Sequence, residues 1–372
     1  MAEALAPLAP FTGRGVGGEG WPSPTGPETP TPTLPRRGGG GQHPKGVDRL
    51  LLPSPRVRGE GLGVRAPTLP RPASKRRLAA FALTGGLCVH TILQLVSPDS
   101  LPYTVLILLV ELAVGSLATV TLFDARRMVT MGYVQMGALI VVCSALLALW
   151  TVSGRVPTAE VDGYLLDVAW IGPLKVLLLV FSAVSGVHTA AAFADQRRVT
   201  MMLGVAGSVL GLVLVGLLAG LVGASAWSYV GVLASMLGAA LALGGSLMAM
   251  SWGHWYLTNS GLPKEPLEQM SLLLCVALLL QVVFMVLGIA FPPREVPLGE
   301  AGFGVALVAN PAFWLRVGVG VLFPFALAVL SWRAANIRGM MTATGLLYIA
   351  TGCILAGEVL ARGLLFATGA VV

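Results

Sequence analysis

The stretch Ala113-Val114-Gly115-Ser116-Leu117-Ala118-Thr119 belongs to an apolar block. The block runs on to Phe123-Asp124-Ala125-Arg126-Arg127-Met128-Val129-Thr130-Met131, where a second apolar block begins. Two blocks of about 20 apolar residues joined by a short basic turn read as a helical hairpin across a bilayer. In hydrocarbon, each backbone N–H and C=O must be satisfied within its own segment. The same pattern recurs to the end of the chain. The fold class it predicts is all-α: a polytopic transmembrane helix bundle.

Nine spans follow, at roughly 78–96, 103–123, 131–151, 170–193, 199–223, 228–252, 269–291, 312–332 and 341–366. Composition agrees: 55% of the 372 residues are hydrophobic and 11% charged, and mean hydropathy is +0.82. A soluble domain carries about 25% charged residues. The partner this composition demands is the lipid bilayer.

The net charge of +7 does not mark a nucleic-acid surface. Residues 1–77 hold twelve of the 24 Lys and Arg but five of the 17 Asp and Glu, so the remainder is neutral. That tail is rich in Pro, Gly and Arg, as in Pro30-Thr31-Pro32-Thr33-Leu34-Pro35-Arg36-Arg37, and is expected to be disordered. It lacks the apolar run of a signal peptide. No Met occurs between Met1 and Met128, which fits a start at a non-AUG codon near residue 65–75. A mass-spectrometric peptide from residues 1–50 would sink that idea. The chain thus divides into a tail, 1–77, and a transmembrane domain, 78–372.

Cations near the span ends set the orientation. Arg71, Lys75, Arg76 and Arg77 precede the first span. Arg126 and Arg127, Arg197 and Arg198, Lys264, and Arg333 and Arg338 follow the second, fourth, sixth and eighth. The alternate loops are poor in cations. The expected topology is a multi-pass protein of the cell inner (plasma) membrane, N-terminus cytoplasmic and C-terminus outside.

The quoted hairpin also recurs 70 residues on, as Ala183-Val184-Ser185-Gly186-Val187-His188-Thr189 to Phe193-Ala194-Asp195-Gln196-Arg197-Arg198-Val199-Thr200-Met201. Hairpins 2–3, 4–5, 6–7 and 8–9 read as four like-oriented units after one extra helix. Gly204, Gly207 and Gly211, and Gly231, Gly238, Gly244 and Gly245, are small residues that let helices pack closely.

Ionisable groups at membrane depth cost several kcal/mol and are candidate sites. Glu111 and Glu358 lie at similar depth. Arg362, four residues after Glu358, shares its helix face and is expected to pair with it, either as a structural anchor or as the border of a quinone or proton site. His90, His188 and His254 stand at different depths, which argues against a b-type haem. One isolated His per site suits a quinone hydrogen bond or a proton relay, and His254 also fits an interfacial aromatic belt. Gln135 and Gln281 are expected to bridge helices. Cys88, Cys143, Cys275 and Cys353 sit in apolar blocks, without metal-binding spacing.

The last span, Ile354-Leu355-Ala356-Gly357-Glu358-Val359-Leu360-Ala361-Arg362-Gly363-Leu364-Leu365-Phe366, resembles the final helix of the dimethyl sulfoxide reductase anchor subunit family and its polysulfide reductase (NrfD-like) relatives. There a Gly-Glu-x-x-x-Arg segment ends an eight-helix subunit with both termini outside. Gly357, Glu358 and Arg362 match it over about 13 residues. The early His-Leu-Gly-x-Pro-type segment has no counterpart, and the first helix is extra. The resemblance implies a membrane subunit of a respiratory complex, without a covalently bound cofactor. It would exchange electrons between menaquinone or ubiquinone and iron–sulfur and catalytic partner subunits. Two other classes stay open: a secondary transporter or channel-like permease, and a membrane scaffold.

Overall fold

The structure is a computed structural model that describes residues 100–154, 160–161, 164–223, 229–259, 261–290 and 307–372, the side chains of 288–289 excepted. The tail, the span at 78–96, His90 and Cys88 lie outside the described residues.

Eight helices among the described residues are long and apolar enough to cross a membrane. They are α1 (Leu101–Ala125), α2 (Met131–Gly154), α3 (Ile171–Phe193), α4 (Arg197–Val222), α5 (Tyr229–Thr258), α6 (Glu265–Ala290), α7 (Pro311–Asn336) and α8 (Met340–Thr368). At about 1.5 Å per residue, 23–30 residues reach across the roughly 30 Å hydrocarbon layer. The helices are apolar around most of their circumference, as expected where one side meets protein and the other lipid. Local signals set the ends. Pro102 opens α1. Asn310 caps α7 by accepting from Ala312 N–H at 3.0 Å, followed by Pro311. Gly223 and Gly369 close α4 and α8 with positive φ.

Two rings of four helices make up the bundle. In the first, α1 packs on α2, α2 on α3, α3 on α4 and α4 on α1; in the second, α5 packs on α6, α6 on α7, α7 on α8 and α8 on α5. The first helices of the two rings, α1 and α5, join them along the most extensive helix–helix contact among the described residues. The reason is Gly115 facing Gly244. A Cβ on Gly115 would come within 1.8 Å of Ala240 O, and one on Gly244 within 2.2 Å of Ser116 N. The two backbones therefore touch. Gly204, Gly207 and Gly211 act likewise, admitting Thr121, Leu117 and Val114 of α1 onto α4. The small-residue reading holds for α4 and, on α5, for Gly244, whose partner Gly115 it did not include; an added Cβ on Gly238 or Gly245 would meet only ordinary contacts at 3.9 and 3.8 Å.

Three turns at one end of the bundle share a geometry. Arg127, Asp195 and Arg338 each take a positive φ two residues after a helix ends. The next N–H then reaches back five residues: Met128 to Phe123 O, Gln196 to Ala191 O and Gly339 to Ala334 O. This is the Schellman closure, with a side-chain-bearing residue where glycine is usual. The equivalent residues Arg127 and Asp195 are 68 apart, not 70. The sequence match therefore runs two residues out of structural register, with Phe123 buried and its counterpart Phe193 exposed. The turn recurs; the gapless alignment does not describe it.

Arg126, Arg127, Arg197, Arg198, Lys264 and Arg338 all lie at this end, called the basic end below. At the opposite end a two-residue β-hairpin, β1 (Glu160–Val161) with β2 (Tyr164–Leu165), connects α2 to α3. Tyr164 donates its hydroxyl to Val222 O at 2.7 Å and sets its ring edge-on to Phe366 of α8.

Candidate functional site: a buried network of four charges

Glu111, Arg316, Glu358 and Arg362 are each 2% exposed or less and come from three helices. Glu111 sits on α1, Arg316 on α7, and the other two on α8. Glu111 is ten residues from the start of α1 and Glu358 ten from the end of α8. Antiparallel packing therefore places both about 15 Å from the opposite end.

Glu358 accepts from three donors. Gln281 Nε2 of α6 lies 2.6 Å from Oε1 and Arg316 Nη2 lies 3.1 Å from the same oxygen. Arg362 Nη2 lies 3.5 Å from Oε2. The shorter contact of Arg362 is to Glu111 Oε1. The expected Glu358–Arg362 pair is thus the longest arm of a network binding α1, α6, α7 and α8. Two carboxylates against two guanidinium groups make it neutral, which is how such charges are tolerated at depth.

Backbone geometry makes room for it. Residues Arg316–Leu322 of α7 form a π-helical segment, in which Phe323 N–H bonds Gly318 O, five residues back. Pro324 follows directly. It has no N–H to return to Gly320 O, and its ring would crowd that carbonyl in a regular α-helix; the wider turn relieves both. The bulge brings Gly320 against Gly357 of α8. A Cβ on Gly357 would fall 2.4 Å from Gly320 Cα and 2.9 Å from Arg316 Nη1. Gly357 is therefore a platform under the Arg316 guanidinium.

The network keeps unused hydrogen-bonding atoms. Glu111 Oε2 and Gln281 Oε1 are acceptors, and Arg316 Nε and Nη1 and Arg362 Nε are donors, with no partner among the described residues. Buried polar groups in folded proteins are normally paired. A ligand carrying both a hydroxyl and a carbonyl has the chemistry complementary to these open acceptors and donors. Phe366, one turn beyond Arg362, packs its ring against those of Tyr103 and Tyr164.

The histidines stand elsewhere. His254 is exposed on α5, its Nδ1 3.0 Å from the Tyr348 hydroxyl; Tyr348 precedes Glu358 by ten residues, about 15 Å along α8. His188 is buried on α3 near the basic end. There the glycine at 204 leaves room for its ring and for Thr121, and its Nδ1 has no partner among the described residues. Thr121 is about 15 Å along α1 from Glu111. Neither histidine hydrogen-bonds the network. Gln281 and Gln135 do bridge helices, Gln135 Nε2 reaching Ala192 O at 3.1 Å. Arg316 is the member sequence reasoning passed over. Its signal was a lone cation inside Phe313-Trp314-Leu315-Arg316-Val317-Gly318, which at that depth needs a counter-charge. Among the described residues no group of three or more His, Cys, Asp and Glu could hold a metal ion.

No protein-family model, curated protein or solved structure matches the chain.

Proposed function

We propose that this multi-pass membrane protein is the integral membrane subunit of a respiratory oxidoreductase complex and exchanges electrons with quinol or quinone at the four-charge network. One observation carries the reading: a neutral, fully buried set of two carboxylates and two guanidinium groups with both acceptor and donor atoms open. A quinol hydroxyl would donate to Glu111 Oε2, and a quinone carbonyl would accept from Arg316 or Arg362. Oxidation of one quinol breaks two O–H bonds. In this reading Glu111 and Glu358 would take the two protons on toward water at the opposite end, and the two electrons would leave one at a time through iron–sulfur centres of a partner subunit. The Gly357-Glu358-x-x-x-Arg362 resemblance points the same way.

In this reading the basic end is cytoplasmic, in the inner membrane, and both Leu101 and Val372 lie toward the outside. Cysteines introduced at Asp195 and at Glu160, both exposed, test it. A membrane-impermeant maleimide should label only the second in right-side-out vesicles.

The π-helical break beside the charges also fits a transporter, since discontinuous helices form substrate sites in that class. A flux assay separates the two. In the quinol reading, membranes containing the complex oxidise quinol, and Glu358→Gln and Glu111→Gln abolish both oxidation and binding of a fluorescent quinol analogue. Absence of binding, together with no effect of Glu358→Gln on oxidation, refutes it. Solute flux that depends on Glu358 would favour the transporter.

A further inference from the structure

A second site lies at the basic end, where a cavity of about 560 Å³ is lined by Asp124, Ala125, Arg127, Arg197, Arg198, Met201 and Met202. Three cations face one anion there. Asp124 is spent on Arg197, 2.6 Å away, and Arg197 also donates to Val129 O at 3.3 Å. Arg127 and Arg198 are exposed and make no ion pair among the described residues. The αL turn projects Arg127 beyond the end of α1, while Arg198 rides on the first turn of α4.

What continues from the cavity decides its ligand. Arg198 is followed on the same helix face by Met202, Val205, Val209 and Leu212, all exposed. This unbroken apolar stripe runs into the span at helical spacing. A soluble anion has no use for it. A molecule with a phosphate at one end and acyl chains at the other would satisfy cavity and stripe together, and basic pockets between transmembrane helices take anionic headgroups in this way.

We infer that this cavity is a specific site for an anionic phospholipid, its phosphate held by Arg127 and Arg198 and one acyl chain laid along Met202, Val205, Val209 and Leu212 of α4. The Asp124–Arg197 pair is internally neutral, so the charge left in the cavity is that of Arg127 and Arg198, which matches an anionic headgroup better than a zwitterionic one.

The test is native mass spectrometry of the full-length protein in detergent, titrated with phosphatidylglycerol, cardiolipin, phosphatidylcholine or inorganic phosphate. Wild type should bind the two anionic lipids and not phosphatidylcholine. Arg127→Gly with Arg198→Gln keeps the turn conformation but removes both cations. At about 1 kcal/mol per cation it should weaken binding about 30-fold. Arg198→Gln alone, a surface change on α4, should give about five-fold and serves if the double variant does not fold. A matched pair at another basic turn, Arg338→Gly with Arg333→Gln, should leave affinity within about two-fold. Equal losses in both double variants would reduce the site to general surface charge and overturn the inference. So would phosphatidylcholine binding as tightly as phosphatidylglycerol, or inorganic phosphate binding as tightly as either anionic lipid.

Discussion

Removing Glu358 and Arg316 together should destabilise the bundle by less than the sum of the two single losses. The Arg316–Glu358 contact at 3.1 Å and the Arg362–Glu358 contact at 3.5 Å are each worth ~5 kcal/mol of attraction at an effective dielectric of about 20. Most of that offsets the cost of taking the ions out of water. Breaking a buried pair on one side typically leaves a net loss of ~3–5 kcal/mol. Glu358→Gln leaves two guanidinium groups against one carboxylate, a buried net charge of +1. Arg316→Gln leaves the reverse. In the double variant Arg362 and Glu111 remain as a balanced pair, with glutamines on either side. We expect each single variant to lose ~3 kcal/mol and the double variant to recover ~2 kcal/mol of the summed loss. Reversible unfolding of purified protein in mixed micelles, followed by far-ultraviolet circular dichroism, gives the four free energies of the cycle. Additive losses would refute the claim that the four charges act as one neutral unit. So would single-variant losses below ~1 kcal/mol, because groups so cheaply removed would be hydrated.

Gly357→Ala should cost ~3 kcal/mol or more by forcing α7 off α8 and displacing the Arg316 guanidinium. Gly352→Ala on the same helix, where an added Cβ meets nothing within 4 Å, should be neutral or stabilising by up to ~1 kcal/mol in the same unfolding assay. Burial pushes the Tyr164 hydroxyl, in the α2–α3 connection, up to about 12. Because the folded value is raised, its stabilising contribution is complete below pH ~10, where the unfolded side chain begins to ionise, and is lost as pH rises through about 12. Tyr164→Phe should remove that alkaline decline and cost ~1–3 kcal/mol at neutral pH by stranding Val222 O, read as unfolding free energy against pH. Arg338→Gly should stabilise by ~1 kcal/mol, since glycine takes the left-handed conformation without the Cβ penalty; a loss of stability would show that the Arg338 side chain contributes more than its backbone strain costs.

The apolar blocks between basic turns determined that the chain is a bundle of membrane helices and where the eight described helices lie. The backbone has no other way to satisfy its hydrogen bonds in lipid, so length and hydropathy suffice. Buried charge was legible for a similar reason. Glu111, Glu358 and Arg362 stand out because an ionised group in a 20-residue apolar run demands a partner, and Gln281 reads as a bridge between helices on the same ground. Which partner each takes was not legible. Residues four apart on α8 suggested the Glu358–Arg362 pair, yet the closer contacts join Arg362 to Glu111, 251 positions away, and Glu358 to Arg316 and Gln281. Those depend on how the two four-helix rings meet. That is decided by Gly115 against Gly244 and by the π-helical turn that seats Gly320 on Gly357. Close approach of two backbones is a property of both helices at once: small residues such as Gly204, Gly207, Gly211 and Gly244 are legible in one sequence, but the helix each one meets is not. The spans were therefore determined locally, while the neutral four-charge network exists only because tertiary packing brings four helices to one depth.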